Sequence, residues 1–348
     1  MPLSLYLLAL AVFAMGTSEF MLAGLLPAIA GDVGVPVGTA GLLTSAFAAG
    51  MVVGAPLMAV IARNWLPRSS LFAFVVVFLI AHLVGAATAD FAVLLMSRLV
   101  AALANAGFLA VALTTAAALV SPQRRGQALA VLLSGTTVAT IAGVPGGSLL
   151  GTALGWRATF VAVAVLCVPA AIGVLAGTPV RRVRTAPPAL RPELAELGKP
   201  RLVLVILLAV LVNAVTFGHF TFLAPVVTDV AGLSEWWVPV VLVLFGVGAF
   251  LGVTLGGRLA DSSPRPVVVL GGPLLLAGWS SLDVLGREPI ALLVLVFLLG
   301  VLSFAVGSTL IARVLHHAAG APTMAGSYAT AALNIGAVIG PLAMALSF

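Results

Sequence analysis

Residues Ser134 to Gly151 read SGTTVATIAGVPGGSLLG, a helix-length stretch with no charge, five glycines and one proline. A helix in water does not tolerate that content, because each Gly costs about 1 kcal/mol relative to Ala and an interior Pro about 3 kcal/mol. A bilayer changes the balance. Small residues let helix backbones approach closely, and neighbouring groups re-satisfy the backbone that Pro145 frees. The stretch therefore predicts a bent, tightly packed transmembrane helix.

The rest of the chain agrees. Of 348 residues 62% are hydrophobic and 7% charged, with a mean hydropathy of +1.26, whereas a soluble domain carries about 25% charge. The chain reads as a polytopic, all-α membrane protein. Its one cysteine, Cys167, excludes an internal disulfide and a thiolate metal cluster. The net charge of +6 points to membrane topology rather than to nucleic acid, since the bases stand singly between apolar segments. Ala28-Ile29-Ala30 resembles a signal-peptide cleavage site, but Met1 to Leu10 carries no Lys or Arg and Glu19 interrupts a long apolar run. The segment is read as the first span.

About 20 apolar residues cross a bilayer as a helix. Eleven spans follow: 4–27, 38–61, 71–88, 91–118, 127–152, 158–177, 202–226, 237–259, 266–284, 289–312 and 323–346. Arg63, Arg68, Arg124, Arg125, Arg181, Arg182, Arg184, Arg191, Lys199, Arg201, Arg258, Arg265 and Arg313 lie at alternate connections. Only Arg157 and Arg287 fall on the other side. The positive-inside rule then places the thirteen, and the N-terminus, in the cytoplasm.

Residues 178–201 hold five prolines and six bases and read as a cytoplasmic linker between an N-terminal half, 1–177, and a C-terminal half, 202–348. An offset of 198 superposes Pro27 on Pro225, Gly50 on Gly248 and Gly54 on Gly252. Parallel repeats of this kind are a transporter design with the site at the midplane between them. Six spans precede the linker and five follow it, so the expectation is two six-helix halves with the last helix missing from this chain.

Glu19 is the only acid deep inside a span and Arg98 the only base, since Asp283 and Arg258 stand at the very ends of theirs. A charge at bilayer depth costs about 2.5–3.5 kcal/mol, which makes each a functional candidate. Gly16, Glu19, Phe20, Ala23, Gly24 and Pro27 share one helical face. Glu19 lies eight residues before Pro27 and Arg98 eight after Asp90, so both stand about 12 Å below the outer boundary. Two readings stay open: a static pair, or an acid that exchanges protons under the influence of Arg98. Asn105 shares the Arg98 face. Asn213 and Asn334 fall near the middle of spans seven and eleven, with Phe217, Phe220, His219 and Tyr328 nearby. Aromatics with a few amides suit a small amphipathic ligand, although each amide serves equally well as an interhelical hydrogen-bond donor. His82 has no local polar company and reads as structural, while His316 and His317 suit a helix C-terminus. No HExxH, CxxC, P-loop or paired acids occur. No cofactor or metal is expected, and the energy for transport falls to an ion gradient.

Several of these motifs resemble those of twelve-helix drug:proton antiporters of the major facilitator superfamily. Gly16 to Pro27, GTSEFMLAGLLP, is similar to their first-helix motif, and Arg98 with the small-residue run to Gly107 to their fourth-helix motif. Gly143, Pro145, Gly146, Gly147 and Gly151, followed by Gly155-Trp156-Arg157, resemble the fifth-helix antiporter motif. Gly256 to Asp261 with Arg258 and Arg265 resembles the cytoplasmic loop signature; its first-half copy keeps Gly54 and Arg63 but no acid. More narrowly, EFMLAGLLP, LTSAFAAGM, ALANAGFLAVALTTAAALV, FTFLAPVVTD and APTMAGSYATAALN resemble actinobacterial chloramphenicol-resistance exporters. The resemblance implies the major facilitator fold and efflux of chloramphenicol in exchange for protons, with Glu19 and Arg98 in proton coupling. It implies a monomer in the cytoplasmic membrane whose partners are drug, protons and lipid. Export of a metabolite such as a sugar or nucleoside is the alternative within transport. A membrane enzyme or receptor is the alternative outside it, and it lacks a reactive constellation.

Overall fold

The computed structural model describes residues 2–62, 66–121, 124–177, 190–262, 264–321 and 325–346, and the regular elements among them are all helical. They run α1 (Leu3–Phe20), a 3₁₀ segment (Met21–Gly24), α2 (Leu26–Val33), α3 (Val37–Ala62), α4 (Pro67–Ala87), α5 (Phe91–Ala118) and α6 (Arg125–Val138). A π-helical turn (Ala139–Gly143), α7 (Val144–Leu154) and α8 (Trp156–Gly177) follow. After them come α9 (Leu190–Ala195), α10 (Pro200–Thr221), α11 (Leu223–Pro225), a second π turn (Val226–Val230), α12 (Trp237–Ser262), α13 (Pro264–Leu285), α14 (Pro289–His317) and α15 (Ala325–Met344). Among the described residues ten helices are long and apolar enough to cross a membrane, and Tyr328–Met344 is a shorter apolar one. Each of the eleven expected spans thus falls on one or more helices among the described residues.

The first and fifth spans are interrupted, and a proline explains each. Pro27 has no N–H and its ring would meet the carbonyl of Ala23. The backbone tightens to 3₁₀ before it, with Leu25 N–H on the Leu22 carbonyl at 2.9 Å. In the fifth span the π turn at Ala139–Gly143 widens the backbone just ahead of Pro145, the kind of adjustment that lets a proline persist in a transmembrane helix. Gly155 ends α7 at φ +85°, a conformation that side chains with a Cβ rarely adopt.

Packing is inverted relative to a soluble protein. Large aliphatics such as Ile80, Leu83, Val165, Ile172, Leu204, Leu207, Leu211 and Leu274 are exposed, and many of the buried positions are alanine. In lipid the outer surface needs no polar cover, so close backbone approach dominates inside. Residues Met1–Thr185 and Ala186–Phe348 form two compact units. In the first, α3 crosses α5 where a Cβ on Gly50 would stand 2.6 Å from the Ala102 Cβ, and one on Gly54 2.9 Å from that of Ala106. In the second, α12 crosses α14 at Gly248 and Gly252, where a Cβ would collide with the backbone of Phe297 and Val301. The offset of 198 thus matches glycines that do the same work in each unit.

Within the 178–201 stretch, α9 and a 3₁₀ turn (Glu196–Gly198) precede α10; residues 178–189, with Arg181, Arg182 and Arg184, and Arg63 lie outside the described residues. The hydroxyl of Tyr328 donates to the Glu193 carbonyl of α9 at 2.8 Å, which ties this segment to the start of α15.

At the ends of the first unit's helices, Arg157 forms an ion pair with Asp32 and donates to the Thr88 carbonyl at 3.0 Å, while Trp156 Nε1 donates to Asp32 at 2.9 Å. One arginine thereby joins three connections, and its position apart from the other bases has a local cause. The two side chains are 37% and 46% exposed, so screening limits the pair to about 0.2–1 kcal/mol. Asp32→Asn is expected to lower the thermal midpoint by only a few degrees in low salt and by nothing measurable in 1 M salt. A drop above 10 °C would show that the pair holds far more than this.

Candidate functional site

The first unit gathers its intramembrane polar groups around one turn of α1. That helix ends with the Met21 N–H on the Thr17 carbonyl, so the carbonyl of Ser18 is the first without a helical partner. Arg98 of α5, 1% exposed, takes it: one guanidinium nitrogen donates to the Ser18 carbonyl at 2.8 Å and another to Ser18 Oγ at 2.7 Å. The guanidinium also lies 4.4 Å from the Phe47 ring centroid, a cation–π contact that strengthens when desolvated. Its Nε has no partner among the described residues.

Ser18 passes the chain on. His82 Nε2 stands 2.6 Å from Ser18 Oγ, and His82 Nδ1 lies 2.8 Å from the Phe78 carbonyl. A carbonyl only accepts, so Nδ1 carries a proton, and in the neutral tautomer Nε2 accepts from the Ser18 hydroxyl. Phe78 and Phe160 flank the ring at 4.3 and 5.7 Å. The order is Arg98 to Ser18 to His82 to Phe78.

Glu19 stands beside this chain, not in it. Among the described residues the ion pairs are Arg157–Asp32 and Lys199–Glu196, so Glu19 and Arg98 do not form the contact pair that their matching depths allow. The Arg98 charge and the Asn105 amide are the groups that act on the Glu19 carboxyl. His82, read from the sequence as structural and without local polar company, has polar company across the helices: it is hydrogen-bonded to Ser18. The missed signal was available: a histidine in an apolar span deserves the same suspicion as an acid there. Ser18 gave no such signal, because a serine in a membrane helix ordinarily bonds its own backbone.

The expected substrate-facing residues of the second unit are distributed over three places. Asn213 on α10 donates its amide to the Leu333 carbonyl of α15, the interhelical alternative. Asn334 donates to the Thr330 carbonyl of its own helix at 3.0 Å. Phe217 and Phe220 belong to an aromatic cluster: Phe220 lies 4.7 Å from Phe245, and His219 stacks on Trp279 at 4.8 Å. Tyr328 does not join them. It sits at the start of α15 with its hydroxyl on α9, which corrects its expected place in the pocket. Phe20 lies directly beyond Glu19, where α1 gives way to 3₁₀.

The glycine-rich fifth span packs on the first. A Cβ at Gly143 would collide with Thr17 and one at Gly151 with Leu25, and one at Gly147 would stand 3.0 Å from Thr159 of α8 and 3.7 Å from Met21. Positions 143, 147 and 151 form one stripe at helical spacing. Gly146 lies about 100° round the helix, is exposed, and a Cβ there meets nothing within 4 Å; its expected contact is absent within this unit. Gly143→Ala is therefore expected to destabilise by about 1–3 kcal/mol, while Gly146→Ala stays within about 0.5 kcal/mol. Thermal unfolding of the two purified variants separates them, and equal midpoints would refute the stripe. In the loop signature the side chains of Arg258 and Asp261 lie outside the described residues, and Arg265 is exposed on α13.

Residues 8–341 match the family model of the Major Facilitator Superfamily. The chain is 68% identical over 348 residues to a "Chloramphenicol resistance protein" of Streptomyces lividans, covering 99% of this chain and 89% of that protein. It is 33% identical over 345 residues to the "Inner membrane transport protein YdhP" of Escherichia coli K12, covering 88% of it. The fold matches the inward-facing, unoccupied crystal structure of a bacterial homologue of the human lysosomal transporter Spinster, with a TM-score of 0.77 over 98% of this chain and 80% of that one, at 20% identity. Eleven apolar helices among the described residues, glycine crossings repeated at one offset, a buried Arg98 and a family match over nearly the whole chain converge, and the chain belongs to the Major Facilitator Superfamily.

Proposed function

We propose that this protein exports chloramphenicol or similar small amphipathic drugs across the cytoplasmic membrane in exchange for protons, with no covalent step and as a monomer, its N-terminus in the cytoplasm. The 68% identity to a protein named for chloramphenicol resistance is the observation that carries the substrate. Phenylalanines on α10 and few intramembrane charges fit a neutral, partly apolar cargo.

Coupling rests on Arg98 having two possible addresses. In the arrangement described above its fork is on Ser18, and the Glu19 carboxyl keeps the Asn105 amide and can hold a proton. A movement of α1 against α5 that brings the guanidinium to Glu19 favours the carboxylate and releases the proton. Phe20, Asn105, Asn213, Phe217, Phe220 and Asn334 are proposed to contact drug in some stage of the cycle, and Arg258, Asp261 and Arg265 to hold one access state closed. The test is accumulation of labelled chloramphenicol in cells with and without the gene. Expressing cells should accumulate less, and collapsing the proton gradient should abolish the difference. Undiminished export without the gradient would overturn the coupling, and equal accumulation in energised cells would overturn the substrate.

A further inference from the structure

We propose that the cavity between the start of α10 and the end of α14 binds a phosphate-bearing anion. It has a volume of about 500 Å³ and is lined by Lys199, Pro200, Arg201, Leu202, His316 and His317. The charges that act on His317 are those of Arg313, His316 and Arg201, all of one sign. Of the acids on the segment before α10, Glu196 pairs with Lys199 at 2.6 Å and Glu193 is buried. No carboxylate among the described residues pairs with Arg201 or Arg313.

Topology alone explains a base at this side of the membrane, but not this arrangement. His316 and His317 end α14, where a positive charge complements the helix dipole. Arg201 is the second residue of α10, after its N-cap Lys199, and there the positive end of the dipole opposes it. Pro200 has no N–H, and those of Leu202 and Val203 donate to the Lys199 carbonyl at 3.0 and 3.2 Å, so the first turn offers the backbone N–H of Arg201 beside its own guanidinium, a juxtaposition that an anion relieves by accepting from both. Basic pockets at the cytoplasmic ends of membrane helices are suited to anionic headgroups. Both a phosphatidylglycerol headgroup and a soluble phosphate present the required oxygens.

The test titrates the purified full-length protein in detergent and reads its thermal midpoint. Three probes are used: dioleoylphosphatidylglycerol, dioleoylphosphatidylcholine and inorganic phosphate. A saturable rise with phosphatidylglycerol and none with phosphatidylcholine is expected, with a half-point at least tenfold higher in Arg201→Gln/Arg313→Gln. Arg68→Gln/Arg124→Gln removes the same charge elsewhere and should respond as the parent does. Saturation by phosphate below 1 mM would assign the site to a soluble ligand and leave it an anion site. Equal response to the two lipids without a phosphate effect, or equal loss in both double variants, would overturn it. Should Arg201→Gln/Arg313→Gln fail to fold, the single variants Arg201→Gln and Arg313→Gln supply the comparison.

Discussion

Cells that carry Glu19→Gln in place of the parent protein are expected to lose chloramphenicol resistance while the purified variant still binds the drug. A neutral drug leaving against its gradient must draw on protons entering. One charge moving through 100 mV is worth about 2.3 kcal/mol, which sustains a gradient of about 50-fold at 1.36 kcal/mol per factor of ten. That coupling needs a group able to hold a proton in one arrangement and release it in another. Glu19 is the only carboxyl deep within a span, and Arg98 and Asn105 act on it. Glutamine keeps its length and its hydrogen bond but fixes the neutral form. Energised vesicles with the variant should therefore show no proton movement when drug is added. Normal proton-coupled efflux in Glu19→Gln would leave Glu19 as a neighbour that merely packs.

Arg98→Lys is expected to fail almost as completely, although it preserves the charge. The guanidinium spans two oxygens of one residue, Ser18 Oγ and the Ser18 carbonyl, and lies over Phe47. An ammonium is a point donor on a flexible stem and cannot reproduce a planar fork. Hydrogen bonds to a charged group are worth about 1.5–3 kcal/mol, so loss of either shifts any balance between Ser18 and Glu19 by an order of magnitude or more. Efflux should fall at least tenfold with drug binding retained. Ser18→Ala should reproduce part of the effect, because it removes one acceptor and strips His82 Nε2 of its partner. Parent-like export by Arg98→Lys would show that the fork does not take part in coupling.

Much of this protein is written in local sequence. Hydropathy sets the number of spans, because a bilayer of fixed thickness demands about 20 apolar residues for each. The cost of a charge in lipid singles out Glu19 and Arg98 without any knowledge of their neighbours. A recurring 198-residue offset marks the glycine crossings of α3 on α5 and α12 on α14, since close helix approach needs the same small residues wherever it recurs.

The partners were a different matter. Ser18 and Arg98 are 80 positions apart, and Ser18 and His82 are 64 apart. Helical periodicity fixes the face on which each residue stands, but not which helix that face meets. Depth matching therefore brought Arg98 to Glu19, whereas packing places its fork on the neighbouring serine, because the switch from α to 3₁₀ leaves that carbonyl open. The same gap moved Tyr328 to α9 and Gly146 away from a neighbour. Composition and period determined the spans and their charged positions, since these depend on each segment's own contact with lipid. Only the tertiary structure chose the donors and acceptors, since a hydrogen bond is decided within a few tenths of an ångström by helices far apart in the chain.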